Sequence, residues 1–500
     1  MARYKGSRYN HFVPLGDGRR LGYNAATRAF HLFPPGDWSC YERLTAGDEV
    51  EPGIAARLQE LGYVVPDGFD EIAAVGERYR QSRESTASLT LTIAPTMYCN
   101  FGCDYCFQGQ EKPTSRMSAD VQQAIAAYVD SEGRAGRLKH LSIAWYGGEP
   151  LLGLDVIGEL SIALRETCAR HGATYGAMAV TNGFMLRRPV IDKLHQLGVH
   201  WVQVTLDGPE DIHDQRRYLI AGKSATFERI VRNLRESVEQ TGVTFVIRVN
   251  VDSRNHDRIR DLVDQLADAG LARRKNFALY LAPVESHTEG CRQVSGHVMT
   301  RQTYAAREVD VIKYAAEKGF GGAIQPPSFF SLCAAVKPRS YVILPSGDLH
   351  KCWDTVNTPE RRVGTIFDIA SSARDGNHRK WLDWTPLDDS ICRECTTLPL
   401  CAGSCAYKHI YREDENGPDS RPCPSWKYNL QAKLVLLAKA RGMLPKDFPE
   451  PEGLPKEPEP AVAGQAAGLV PVDLARLLGP TFRASQSAPR GKLPVLGSAA

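Results

Sequence analysis

Residues 89–106 read LTLTIAPTMYCNFGCDYC, and the rest of the chain has to be read around this stretch. Leu89, Leu91 and Ile93 alternate with Thr90 and Thr92, the period-2 pattern of a strand with one buried face. That strand runs into Cys99, Cys103 and Cys106, spaced C-x3-C-x2-C. A structural zinc site takes four ligands, commonly in C-x2-C pairs. Three thiols in one loop fit better a cubic iron–sulfur cluster in which one iron stays open to an exchangeable ligand.

Downstream of the triplet, strand and helix patterns alternate over residues 88–285. Further strand candidates are His140–Tyr146, Ala177–Thr181, Trp201–Leu206, Phe245–Val251 and Phe277–Leu281. Phe227, Ile230, Val231, Leu234 and Val238 share one helical face, as do Ile259, Leu262, Val263 and Leu266, with Gly270 placed to end that helix. Residues 300–318 read as one more helix. Such alternation predicts an α/β fold with a parallel sheet, closed or partly closed into a barrel, whose ligands sit at the C-terminal strand ends. Short polar motifs stand at those ends. Gly147-Gly148-Glu149 follows the second strand, Thr181-Asn182-Gly183 ends the third and Leu206-Asp207-Gly208-Pro209 ends the fourth. Arg248 and Asn250 lie on the fifth.

With Tyr105 before the third cysteine, this ordered set resembles the radical S-adenosylmethionine (SAM) superfamily. The resemblance implies a partial (β/α)6 barrel over residues 86–320, with Cys99, Cys103 and Cys106 holding a 4Fe–4S cluster whose open iron is chelated by SAM. It also implies that Gly147, Gly148 and Glu149 meet the SAM amino group. Tyr105, Asn182, Asp207, Arg248 and Asn250 are the other expected SAM-site residues. In that family one electron cleaves SAM to a 5′-deoxyadenosyl radical, which takes hydrogen from unactivated carbon.

A second cysteine set begins with Cys333 and continues through Gly347 to Cys352, Cys392-x2-Cys395-x5-Cys401-x3-Cys405 and Cys423. It resembles the SPASM domain, which carries two auxiliary 4Fe–4S clusters, here expected over residues 325–440. By position, Cys392, Cys395, Cys401 and Cys423 would hold the distal cluster, and Cys333, Cys352 and Cys405 the proximal one. The stretch IQPPSFFSL before Cys333 has no cysteine, so the proximal cluster would keep an open iron or take Cys291. Tyr407, His409 and Tyr411 are expected to pack around a cluster.

The chain's 500 residues and 13 cysteines, with no export signal, fit a reducing compartment and metal ligation, not a disulfide framework. Net charge is +3 with no dominant basic stretch, and no apolar run is long enough to span a bilayer. The expectation is a cytoplasmic protein with no nucleic-acid or membrane partner. Residues 1–85 read as a separate module, with Phe12-Val13 and Leu21-Gly22-Tyr23 flanking a Gly16-Asp17-Gly18 turn, then a helix over Ile54–Leu61, the strand Tyr63–Val65 and a charged helix near Asp70–Ser85. It resembles leader-peptide recognition domains, which pair a peptide along a strand edge. Residues 441–500 are rich in Pro, Ala and Gly and read as a disordered tail, apart from a short helix at Val472–Leu478.

The resemblance therefore implies a peptide maturase that forms a thioether or carbon–carbon crosslink in a ribosomal precursor bearing a leader. A ferredoxin or flavodoxin would supply electrons. The alternatives are an anaerobic sulfatase maturase, which makes formylglycine, and a dehydrogenase of a small molecule. Sulfatase maturases place an Asp directly after the cysteine equivalent to Cys352, whereas here Trp353 stands there and Asp354 follows; Asp354 is the candidate catalytic base.

Overall fold

The computed structural model describes residues 3–109, 111–322, 324–327, 332–372, 375–411 and 421–451. The core is a parallel run of six strands: β6 (Ser88–Ile93), β7 (His140–Trp145), β8 (Thr174–Thr181), β9 (Val199–Thr205), β10 (Thr244–Val251) and β11 (Phe277–Pro283). Each pairs with the next in chain order. β6 and β11 are not paired with each other, so the sheet stays open, as in a partial barrel.

The alternation in the opening stretch has the expected result. Leu89, Leu91 and Ile93 on β6 are fully buried. Helices α4 (Ala119–Arg134), α5 (Leu154–Arg170), α6 (Arg188–Gln196), α7 (Glu210–Arg216), α8 (Phe227–Ser237), α9 (Ile259–Asp268) and α10 (Arg301–Glu317) lie between and after the strands. Ser118 starts α4 by accepting from the Val121 N–H, which satisfies one of the donors every helix start leaves free. Ile259, Leu262, Val263 and Leu266 on α9 are all buried, and Gly270 follows at φ +77°.

The sheet does not stop at the boundary expected near residues 320–325. β12 (Gly321–Gly322) adds to β11, and β13 (Ser340–Ile343) pairs parallel to β6, Ser340 opposite Thr90. β14 (Asp348–His350) and β15 (Gly364–Thr365) continue antiparallel from β13. The cysteine-rich region is thus hydrogen-bonded into the core sheet, and its long helix Trp426–Ala440 buries Leu430, Leu434 and Ala438.

Residues 4–84 hold β1 (Tyr4–Gly6), the antiparallel β2 (Asn10–Pro14), β3 (Arg20–Asn24) and β4 (Phe30–Phe33), helices α1 (Pro35–Ala46) and α2 (Pro52–Glu60), β5 (Val64–Pro66) and α3 (Glu71–Glu84). The β2–β3 turn has Gly16 and Gly18 in the left-handed region, as the Gly-Asp-Gly reading requires. A small core of Phe33, Leu44, Leu58, Tyr63 and Val64 holds this unit together. It is docked on the cysteine-rich region. Arg8 pairs with Glu394 at 2.6 Å, His11 Nε2 lies 3.2 Å from the Thr396 carbonyl, and Arg83 donates to the Leu382 carbonyl at 2.9 Å. Residues 441–451, expected to begin the disordered tail, pack on the core instead, with Leu444 buried and Glu450 2.7 Å from Lys313; the remainder from residue 452 onward, with the helix expected at Val472–Leu478, lies outside the described residues. Among the described residues no helix is long and apolar enough to cross a membrane.

Candidate active site

The loop after β6 carries the first three cysteines and is pinned from two sides. Thr96 Oγ1 accepts from the Tyr98 N–H, and Gly148 and Glu149 donate their N–H groups to the carbonyls of Thr96 and Tyr98 at 3.1 and 2.9 Å. Gly148 has no room for a side chain. A Cβ there would come within 2.3 Å of the Tyr98 carbonyl oxygen and 2.4 Å of that of Met97. Gly147 sits at φ +123°, which only glycine adopts readily. The GGE motif therefore sets the position of the cysteine loop through backbone contacts.

Cys99, Cys103 and Cys106 face one cavity of about 370 Å³, together with Tyr105, Gly147, Gly148, Asn182, Arg248 and Asn250. Glu149 and Asp207 do not line it. Glu149 is 1% exposed; its carboxylate accepts from the Thr181 hydroxyl at 2.6 Å and from the N–H groups of Asn182 (2.7 Å) and Leu151 (3.0 Å). It thereby ties the end of β7 to the end of β8. Burial pushes its pKa up, against these hydrogen bonds.

Asp207, fully buried, is the centre of a second network. Its carboxylate accepts from the Tyr105 phenol and, at 3.1 and 3.2 Å, from the Asn250 side-chain amide and N–H. Arg217 donates to the Tyr105 hydroxyl and lies 3.9 Å from the Asp207 carboxylate. Arg248 Nε donates to Asn250 Oδ1 at 2.8 Å. Tyr105, Asp207, Arg248 and Asn250, named from sequence, thus form one connected unit. Arg217, assigned no role from sequence, completes it and also lines the cavity.

The same cavity reaches into the cysteine-rich region. Cys333, Lys351, Cys352, Trp353 and Asp354 lie on its wall. Cys405 is buried beside them, and after burial itself the largest influence raising the pKa of both Cys352 and Cys405 is the Asp354 charge. Trp353 packs on Tyr146 with ring centroids 4.4 Å apart and on Phe107 at 5.9 Å. An aromatic wall therefore joins the residue after Cys106 to the residue after Cys352. Cys291 does not line the cavity itself. It is fully buried with Val284, Val294 and Tyr105, and its Sγ lies 3.1 Å from Thr288 Oγ1.

A separate small pocket is lined by Cys392, Cys395, Cys401 and Cys423, with His409, Arg421 and Lys427. Ala402, Gly403 and Ser404, between the third of these cysteines and Cys405, all have positive φ. That turn separates Cys401, which lines the pocket, from Cys405, which does not. His409 Nε2 lies 3.1 Å from the Gly403 carbonyl; Tyr407 and Tyr411 lie 5.2 Å apart between ring centroids, tilted at 49°, with Tyr407 also against His287 and Tyr411 against Trp381.

The donor sets fit iron–sulfur clusters. All 13 cysteines are free thiols, and ten of them gather as three, three and four. Among the described residues no His, Cys, Asp or Glu group converges as a single ion would require. A cubic cluster takes one thiolate per iron, so its ligands stand apart around it.

A profile of the Radical SAM superfamily matches residues 93–266, the span from the end of β6 to α9. That stretch is a radical SAM domain, and the protein is an enzyme; SAM and an iron–sulfur cluster are the cofactors of that superfamily. Among its relatives is the serine-type anaerobic sulfatase-maturating enzyme of Klebsiella aerogenes, 23% identical over 323 residues, which cover 61% of this chain and 76% of that one. The sporulation killing factor maturation protein SkfB of Bacillus subtilis (strain 168) is 24% identical over 195 residues, covering 38% of this chain and 42% of SkfB. The solved structure of native anSMEcpe with bound AdoMet superposes with a TM-score of 0.52 at 19% identity, over 71% of this chain and all of that one, and shares its fold.

Proposed function

We propose that the protein is a three-cluster radical SAM maturase that forms a thioether or carbon–carbon crosslink in a ribosomal precursor peptide. The observation that carries this reading is the shared cavity, onto which both Cys99–Cys103–Cys106 and the Cys333–Cys352 pair open. A substrate held there meets the SAM site on one side and the auxiliary thiols on the other. Cys99, Cys103 and Cys106 would hold the SAM-binding cluster, Cys333, Cys352 and Cys405 the proximal auxiliary cluster, and Cys392, Cys395, Cys401 and Cys423 the distal one. When bound, the first cluster supplies the electron that cleaves SAM to a 5′-deoxyadenosyl radical, which takes hydrogen from the substrate.

The chain's own residues do the rest. Asn182, Arg248 and Asn250 present polar groups to SAM, while Glu149 and Asp207 hold the strand ends that carry them. Phe107, Tyr146 and Trp353 wall the cavity with apolar surface and exclude water from the reacting carbon. Asp354 is the base that takes the substrate proton. Residues 1–85 bind the leader along a strand edge, and a ferredoxin or flavodoxin delivers the electrons.

A second reading, a formylglycine-forming sulfatase maturase, is supported by the relative whose length this chain covers most fully among those above. Two measurements test the proposal. Anaerobic reconstitution should load about twelve irons, and SAM with dithionite should give 5′-deoxyadenosine that the Cys99/Cys103/Cys106→Ala variant does not make. Peptides from short reading frames beside the gene, and a Cys- or Ser-containing sulfatase peptide, are then compared by mass. Loss of two hydrogens with sulfur retained in the precursor supports the crosslink. Conversion of the sulfatase peptide alone replaces it with the second reading, and about four irons removes the auxiliary clusters.

A further inference from the structure

Four residues beyond the end of β11, His287 reaches across to the cysteine-rich region. Its side chain is fully buried, and Nε2 lies 3.1 Å from Asp354 Oδ2. The His287 ring packs against Tyr407, two residues past Cys405, at 5.3 Å between centroids. Asp354 itself is 6% exposed by side chain, and Oδ2 lies 3.6 Å from Cys352 Sγ. It is thus a carboxylate held against thiols, where a negative charge needs a partner.

The neighbouring lysines are committed elsewhere. Lys351 Nζ donates to the carbonyls of Lys337 and Ser340, both at 2.6 Å, and Lys408 Nζ pairs with Glu285 at 3.0 Å. Asp354 is also the carboxylate placed to compete for an iron that Cys333, Cys352 and Cys405 leave open, since carboxylate oxygen is an acceptable iron ligand. Cys291, the other candidate, is turned toward Thr288 and Tyr105.

We infer that His287 is a positioning residue that engages Asp354 Oδ2, keeping the carboxylate from ligating the fourth iron of the proximal cluster and so leaving that iron open to a substrate thiolate. This rests on the auxiliary-cluster reading above. No sequence pattern marks His287, because only the fold brings it within reach of a residue 67 positions later.

The test uses the full chain in the Cys99/Cys103/Cys106→Ala background, so that the SAM-site iron cannot respond. L-cysteine is added to desalted, reconstituted protein, and the reduced auxiliary clusters are followed by electron paramagnetic resonance. With His287 present, L-cysteine should shift the spectrum. His287→Leu should alter the resting spectrum and abolish the shift, His287→Gln should respond as His287 does, and His287→Leu/Asp354→Asn should regain the response. A His287→Leu protein that still responds fully overturns the inference. So does an Asp354→Asn protein that gains a response absent with Asp354, since the carboxylate would then already be the ligand. Iron well below about eight per chain in the background protein signals a different failure, that of the auxiliary-cluster reading, and the inference falls with it. His287→Gln guards against a loss of fold, because it keeps a donor of similar reach.

Discussion

The Tyr105 phenol donates to the Asp207 carboxylate, tying the residue before the third cysteine to the end of the fourth barrel strand across 102 positions of chain. Arg217 closes the unit, with its guanidinium on the Tyr105 hydroxyl and 3.9 Å from Asp207. Because Asp207 and Arg217 are both buried, the carboxylate neutralises a cation that has left water.

Asp207→Ala should therefore cost far more than Tyr105→Phe. Removing the anion strands a buried Arg217, with an expected loss of about 3–5 kcal/mol. Tyr105→Phe leaves Asp207 its two bonds from Asn250 and should cost about 1–2 kcal/mol. Denaturant unfolding of the metal-free chain measures both.

His213 makes the fold acid-sensitive. It is fully buried; Nδ1 accepts from the Asp207 N–H at 3.3 Å, and Nε2 lies 3.1 Å from the Thr226 hydroxyl. Burial first, then Arg217 and Arg216, hold its pKa well below the ordinary value. The unfolded chain takes up a proton near pH 6.5 and the folded chain does not, so stability is complete above that pH and falls as pH drops below it. Melting curves from pH 7.5 to 5 should show this fall. His213→Asn, which keeps an acceptor for the Asp207 N–H, should flatten it from a lower starting stability.

Gly148→Ala should disturb the first cluster site without unfolding the chain. The new Cβ meets the Tyr98 and Met97 carbonyls, which are backbone and can yield only by moving the loop that carries Cys99. Reconstituted iron should fall by up to about four per chain, with the auxiliary signals retained. An unchanged iron count would mean that the loop tolerates the shift.

The Glu285–Lys408 pair joins the segment after β11 to the residues after Cys405, both side chains under 5% exposed. Lys408→Met or Glu285→Gln alone should each cost up to about 3–5 kcal/mol, with Arg301, 3.6 Å from Glu285, offsetting part of the loss of Lys408. The double variant should cost less than the sum by more than about 1 kcal/mol, the mark of direct coupling in a double-mutant cycle.

Much of this was legible along the chain. The strand into the triplet, the GGE turn and the order of strand-end motifs are local, because strand period and glycine conformation are fixed by neighbouring residues. In the fold Cys392, Cys395, Cys401 and Cys423 gather in one pocket, and Cys333 and Cys352 lie on one cavity wall. Glu149 and Asp207 were read from sequence as SAM-site residues, whereas in the fold their side chains serve the strand ends and not the cavity wall. Motif order places a residue at a strand end; it does not say which way the carboxylate turns.

What the sequence determined by itself was the class of chemistry, written in thiol spacing and glycine turns that need only local backbone. The tertiary structure alone decided which side chains share a space. It joined β13 to β6, buried Cys291 with Val284 and Tyr105, put Trp353 on Tyr146 and brought His287 to Asp354. Those contacts link residues far apart in sequence. They form only when burial of the parallel sheet sets the strands side by side, and no periodicity in the chain encodes them.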